Sequence, residues 1–458
     1  MLKKLKSRLF KTPQKPDQVR GPSGKEWIAL ALLFLDDQIV FFKRMQARYG
    51  DIYWLRILNY PYFVVHDPKL IETILIHHAD ALEKDQVTRA LRDMLGLGLL
   101  TNEGEPWKVQ RRLASPSLRP KQIRAYASDM LRFTNQHIQN WTDEKTIDLS
   151  SEMMSLTLKI VLKTILGIEE FGNSRKAGEA LGTVMESFFK ENNSAWSLVP
   201  KKIPLAHRRE FKKAVHILDE IIYALIEKRK SKNTQGDDLL NRFILAKDEH
   251  GHAMSDQQLR DETMTMFLAG HETTSLSMTY LFTLLAENPL EEMRVLEEIG
   301  ALGKKEIGLE DIPKLKYLEA AAKEALRIFP PAWLIGRRVI SDFKAGGVLF
   351  EKDQEILFPQ SSIHHDMRFF ENPHAFKPSR WLDGSLDENP KFAYFPFGGG
   401  SRVCLGNHFA MMEIILVVST ILQKYQLRKV DTSPMVMLPA ITLRTKEPIK
   451  MVLHARPE

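Results

Sequence analysis

Between about residues 68 and 330 the apolar positions recur at intervals of three and four, the spacing that lines one face of an α-helix. The clearest stretch runs from Asp256 to Glu287. Ser255 and Gln258 make a capping box at its start, and Asn288-Pro289 stops it. About 32 residues at ~1.5 Å rise give roughly 48 Å, long enough to cross a whole domain. Strand-like patterning is confined to three places. Ile52–Leu58 and Tyr62–His66 flank Asn59-Tyr-Pro61 and predict a hairpin; a second group lies between Arg338 and Leu357 with Gly346-Gly347 as its turn; a third lies near Val436–Leu453. Residues 12–24, rich in Pro, Gly and polar side chains, read as a linker. The pattern predicts a mainly α chain with minor β. It divides into a basic tail and linker over residues 1–24 and one helix-dominated domain with small sheets over 25–458, without internal repeats.

Composition agrees with a packed globular chain: 44% of residues are hydrophobic and 27% charged. The longest apolar run, Trp27 to Leu35, is nine residues and ends at Asp36-Asp37, too short to span a bilayer and without a signal-peptide cleavage pattern. A single cysteine fits a reducing cytoplasm, which is the expected location. The net charge of +7 would suggest nucleic acid, but residues 1–20 carry seven Lys/Arg and one acid, a net +6. The remaining chain is therefore close to neutral, and no nucleic-acid partner is expected. In the tail, Leu2, Leu5 and Leu9 fall at helical spacing opposite the lysines. That pattern suits weak peripheral membrane contact through residues 1–20, and equally a solvated, frayed terminus.

The one cysteine, Cys404, lies in Phe395-Pro-Phe-Gly-Gly-Gly-Ser-Arg-Val-Cys-Leu-Gly406. A lone thiol cannot form an intramolecular disulfide, a four-thiolate zinc site or an iron–sulfur cluster. What remains is a single-thiolate site or an inert buried thiol, the commoner state of a lone cysteine. The neighbours favour the site: three glycines at 398–400 let backbone approach something large and flat, and Arg402 sets a cation two residues before the sulfur. The glycines are no phosphate cradle, since the Gly-Lys-Ser/Thr ending and the dinucleotide spacing are both missing.

Phe397-Gly-x-x-x-Arg402-x-Cys404-x-Gly406, with Ala410 following, resembles the heme-binding loop of the cytochrome P-450 family, the heme-thiolate monooxygenases. The resemblance extends from about residue 25 to 458 through four motifs in the family's order, and implies the P-450 fold with heme b held by Cys404 as axial thiolate ligand. Ala269-Gly-His-Glu-Thr-Thr274, in the middle of the long helix, resembles the family's oxygen-binding stretch. By that match Ala269 adjoins the cofactor, and Glu272 and Thr273 are the acid–alcohol pair that relays protons through water to bound dioxygen. A zinc-protease reading of His271-Glu272 fails, because the fifth position is Ser275 rather than histidine. The small residues would let the cofactor approach the helix axis, and a threonine hydroxyl bonded one turn back could open the helical ladder.

Glu324-x-x-Arg327 sits on one helix face, and Phe376-Lys-Pro-Ser-Arg380-Trp381 resembles the family segment whose arginine joins them, implying a structural triad of Glu324, Arg327 and Arg380. Heme carries two propionates, so several donors should converge on it. The resemblance assigns this to Trp107 and Arg111, at helical i,i+4 spacing, to Arg402, and to Arg338, chosen over its neighbour Arg337. The implied activity is insertion of one oxygen atom of O2 into a lipophilic fatty acid, terpene or steroid by a monomer. Electrons would come from NAD(P)H through a separate ferredoxin, flavodoxin or reductase, since no flavin or nicotinamide domain is present. A heme sensor and a P-450 used for isomerisation, dehydration or peroxide-driven chemistry are the alternatives, and retention of Glu272 and Thr273 argues against the sensor. By family analogy substrate is read near 81–100, 184–205, 330–336 and 434–440, which hold Phe188, Phe189, Trp196, Trp333, Leu334, Met435 and Met437. Lys108, Arg112, Arg119 and Lys121 would offer the electron donor a positive face.

Overall fold

The computed structural model describes residues 19–22, 26–57, 60–168, 171–192, 199–200, 203–232 and 238–457. Most of the basic tail, the Asn59 turn and Trp196 lie outside the described residues, as does the Phe189 side chain. The chain gathers into two compact units. One comprises the described residues up to Ala90 with Arg327–Ala375 and Gly384–Cys404; the other comprises Leu91–Leu326, Phe376–Asp383 and Leu405–Glu458.

The first unit is built on a five-stranded sheet of β1 (Ile52–Ile57), β2 (Tyr60–Val65), β3 (Leu82–Lys84), β4 (Ile335–Val339) and β5 (Glu355–Phe358), in the spatial order β1-β2-β5-β4-β3. β1 and β2 form the expected hairpin, β2 runs parallel to β5 with Val64 beside Leu357, and β4 is antiparallel to both β5 and β3. The second expected strand group thus begins at Ile335, three residues earlier than the pattern suggested, and includes a small hairpin whose turn glycines, Gly346 and Gly347, have φ of 56° and 77°. Phe63, Val65, Val339 and Ile356 of the sheet pack with Ile74, Leu75, Phe392 and Phe395 in one buried cluster, so the segment leading into the cysteine loop is part of this core.

The second unit is helical. α1 (Gly104–Ala114), α2 (Asp256–Glu287) and α4 (Asn407–Lys424) carry residues singled out above, and α3 (Lys316–Ile328) crosses from this unit into the other. α2 matches its sequence reading end to end: the Ser255 Oγ accepts from Gln258 N at 3.2 Å, the Gln258 side chain accepts from Ser255 N at 2.9 Å, and Asn288 caps the other end. α2 is buried on most of its circumference and packs along the helix Leu149–Leu166. The third strand group forms a short hairpin, β6 (Met437–Pro439) with β7 (Leu443–Thr445), and a strand Lys450–Ala455 that pairs with Thr146–Asp148 and Tyr425–Lys429. Among the described residues no helix is long and apolar enough to cross a membrane.

Candidate functional site

The cysteine loop is fixed through its main chain. Gly398 N donates to Phe395 O at 2.8 Å, Val403 N to Gly400 O at 3.2 Å, and Cys404 N to Phe397 O at 2.9 Å. Gly398 and Gly400 take φ of 70° and 66°, where a side chain is strained. A Cβ on Gly399 would come within 2.2 Å of the Phe392 ring, and one on Gly400 within 2.2 Å of the Leu75 carbonyl oxygen. The sequence reading of close backbone approach is therefore answered, at these two positions, by the protein's own core. Around the loop lies a cleft of about 460 Å³ that includes Ile76, Ala79, Phe395, Phe397 and Val403 in its walls. Cys404 is exposed, and Phe397, Arg402 and Gly406 are half-buried.

Arg338 does not stand ready for a propionate. On β4 its guanidinium bonds Glu83 at 3.1 Å and also pairs with Asp353. Alternation along the strand sends its neighbour Arg337 to the other face, where it is buried and donates to Gly336 O at 2.7 Å. The strand period thus separates two adjacent arginines that composition leaves equivalent: Arg337 is buried, and Arg338 is half-buried and ion-paired.

The triad residues are deeply buried. Arg380 Nε and Trp381 Nε1 each donate to Glu324 at 2.9 Å, and Lys377 N adds a bond at 3.2 Å, so both carboxylate oxygens are used. Arg327, which is fully buried, donates at 2.8 Å to the carbonyls of His364 and Pro373, and its guanidinium lies 5.0 Å from the Phe370 ring centroid.

In the other unit, Trp107 is buried in α1 with the Arg111 guanidinium 5.8 Å from its ring centroid, so the i,i+4 pair does share a face. The cations near it are partly neutralised: Lys108 pairs with Glu105 at 2.8 Å and Arg112 lies 3.8 Å from Glu249. The Lys108 ammonium also holds the Glu105 carboxyl below its usual range. Arg119, Lys121 and Arg124 are exposed, with no acid within 4.0 Å among the described residues.

On α2, Ala269 is exposed although Phe267, Leu268, His271 and Glu272 around it are buried. Gly270 serves packing: a Cβ there would meet Val161 at 3.3 Å. The Thr273 hydroxyl donates to Ala269 O at 2.7 Å, yet the helix continues unbroken, so the expected opening of the ladder does not occur. Glu272, 3% exposed, is an ion-paired residue: its Oε1 accepts from Arg444 Nε at 2.5 Å and from Thr442 Oγ1 at 2.8 Å, both on or beside β7. Tyr280 hydroxyl donates to Leu443 O, pinning the same hairpin to α2 a second time. His271 faces the Met154 carbonyl at 3.0 Å, and burial lowers its pKa. Sequence reasoning missed Arg444 and Thr442, which lie about 170 residues from Glu272 with no motif to link them.

Of the presumed substrate residues, Phe188 and Trp333 are buried like ordinary core, Trp333 packing on Phe42 with ring centroids 6.3 Å apart. Leu334, Met435 and Met437 are half-buried.

These residues fit a heme. The one cysteine is exposed at the end of a loop whose course is fixed through its main chain, which leaves the residue open to a ligand. Comparison with known proteins agrees. The Cytochrome P450 family model matches residues 20–453. Cyclooctatin synthase of Streptomyces melanosporofaciens is 30% identical over 95% of this chain and 95% of its own length. Cyclooctat-9-en-7-ol 5-monooxygenase of the same organism is 29% identical over 83% of each chain, and pentalenene oxygenase of Streptomyces avermitilis is 28% identical over 83% and 85%. The structure of retinoic acid-bound cyanobacterial CYP120A1 superposes with a TM-score of 0.83 at 23% identity, covering 93% of this chain and 96% of that one. The chain belongs to the cytochrome P450 family and has its mainly α fold. It is a heme-dependent monooxygenase that needs a substrate, O2 and a redox partner.

Proposed function

We propose that this P450 holds heme through the Cys404 thiolate and oxygenates a terpene-class substrate, an apolar polycyclic hydrocarbon or its alcohol. Heme bound through a thiolate activates dioxygen so that one oxygen atom can enter an unactivated C–H bond. The observation that carries the ligand assignment is that Cys404 is exposed at the end of a loop in which Gly399 and Gly400 are packed against Phe392 and Leu75. Trp107, Arg111, Arg402 and Arg337 would supply donors to the propionates. The substrate class is supported by the three Streptomyces relatives, two of which are named as oxygenases of cyclooctat-9-en-7-ol and of pentalenene and one as cyclooctatin synthase.

Thr273 and Glu272 handle protons in this reading, with unequal parts. Thr273 spends its hydrogen on Ala269 O but keeps its lone pairs for water. The bonds from Thr442 and Arg444 both fall on Oε1 of Glu272, which leaves Oε2 as the atom through which a proton would pass. Arg119, Lys121 and Arg124 form the positive face that would steer an acidic ferredoxin, flavodoxin or reductase, because Lys108 and Arg112 already have acids nearby. Leu32 and Leu35, exposed on the helix Glu26–Asp36, extend the peripheral membrane reading of the basic tail beyond its own sequence. Co-sedimentation with anionic vesicles at low salt, compared between the full chain and one lacking residues 1–20, tests that contact.

Titration of the purified protein with terpenes, fatty acids and steroids, read as substrate-induced spin-state shifts, tests the substrate class. Saturable shifts with cyclic terpenes and none with fatty acids support it. The reverse pattern overturns it and leaves the ligand assignment standing.

A further inference from the structure

Two fully buried side chains grip the backbone of one residue, Phe395, at the entrance of the cysteine loop. Phe395 N donates to His364 Nε2 at 3.0 Å, and Gln360 Nε2 donates to Phe395 O. Phe395 opens the run to Cys404, and its carbonyl also receives Gly398 N, the first bond inside the loop. Because a backbone N–H can only donate, Nε2 of His364 is the acceptor and the ring proton sits on Nδ1. Burial, together with nearby His365 and Arg327, holds the ring's pKa well below the usual value, so the acceptor stays unprotonated. The grip is tied back to α3: Arg327 donates to the His364 carbonyl at 2.8 Å, and His364 N donates to Gln360 O at 2.8 Å. His364 Nδ1 and Gln360 Oε1 are left over, a donor and an acceptor one helical turn apart, with no hydrogen-bond partner among the described residues. Two groups otherwise costly to bury are thus kept where each makes one bond, both to the backbone of the same residue.

We infer that His364 and Gln360 are positioning residues for the thiolate: they hold both backbone polar atoms of Phe395, in the two peptides that flank it, and so set the course of the loop that carries Cys404, with Arg327 acting on that loop through His364. The inference rests on Cys404 as the iron ligand.

The test uses heme-loaded full-length protein and compares wild type with His364→Phe, His364→Gln and Gln360→Leu. The reduced, carbon monoxide-treated samples are followed for the strongly red-shifted Soret band that reports thiolate ligation, beside heme content and melting temperature. His364→Phe and Gln360→Leu should lose the band about tenfold faster than wild type, the factor that matches one buried hydrogen bond. His364→Gln should keep it close to wild type, because its amide oxygen replaces Nε2 as acceptor. If His364→Phe and Gln360→Leu melt lower yet keep the band as long as wild type, the two residues only pack the core and the inference is overturned. If His364→Phe fails to take up heme, Gln360→Leu against His364→Gln decides: faster loss in the first alone supports the inference, and equal persistence sinks it. A wild-type protein without the band overturns the Cys404 reading and this inference with it; indifferent variants of a wild type that has the band overturn this inference alone.

Discussion

The cysteine loop and the middle of α2 carry the two halves of the proposed chemistry and are built by opposite means. The loop is held by main chain. Its glycines sit against Phe392 and Leu75, its peptides bond one another and two buried neutral side chains, and Arg327 binds carbonyls. Around Ala269–Thr273 the fixing groups are side chains with exchangeable protons: Thr273, the Glu272–Arg444 pair and Thr442, with the buried acid Glu262 further along α2. A part that must not move is best tied by groups that do not titrate. A part that must pass protons needs groups that do.

Removing the sulfur should show the sharpest contrast. Cys404→Ser should abolish the red-shifted band of the reduced, carbon monoxide-treated protein, whereas no substitution at residues 269–273 should do so. A histidine-like wild-type spectrum would refute the assignment. Next in size is Glu324→Ala, which removes the buried carboxylate that accepts from Arg380 Nε and from the Trp381 indole N–H. It should cost about 3–5 kcal/mol in denaturant unfolding.

On the α2 side, Thr273→Ala and Glu272→Gln should retain heme but lower product formed per NAD(P)H consumed, by up to about 100-fold, the excess electrons appearing as peroxide and water. If Glu272 only anchors the β6–β7 hairpin through Arg444, Glu272→Gln will lower the melting temperature with coupling unchanged.

A pH experiment separates the regions further. Burial raises the Glu262 pKa to about 8 against an ordinary 4.5, despite a bond from Leu99 N at 3.1 Å. A raised acid favours the folded state fully below about 4.5 and loses that contribution as pH climbs through 8. Thermal stability should therefore fall across that window by up to about 1.4 kcal/mol per pH unit. Glu262→Gln, which cannot ionise, should flatten the fall; an identical slope in the variant would place the titration elsewhere.

The smallest effect is expected at the surface. Charge reversal of Arg119, Lys121 and Arg124 should slow first electron transfer by about tenfold or less and weaken its salt dependence, with peroxide-driven turnover unchanged. Equal loss by both routes would mean damage to the heme site.

The chain's own pattern was enough for the local features. The span and caps of α2, the β1–β2 hairpin and the two turn glycines follow from periodicity and capping chemistry, which act over a few residues. So did the Cys404 motif and the i,i+4 pairing of Trp107 with Arg111, because each is contiguous or one turn apart. Short strands escaped: Leu82–Lys84 has too few residues to show a period and is defined by its antiparallel pairing with Arg337–Val339, about 255 residues away. Tertiary structure alone decided that Glu272 meets Arg444, that Arg337 rather than Arg338 turns inward, and that His364 takes the Phe395 N–H. The arginines are told apart by which face of the strand is buried, and the other two contacts join groups about 172 and 31 residues apart, a separation at which a hydrogen bond or ion pair leaves no periodic trace.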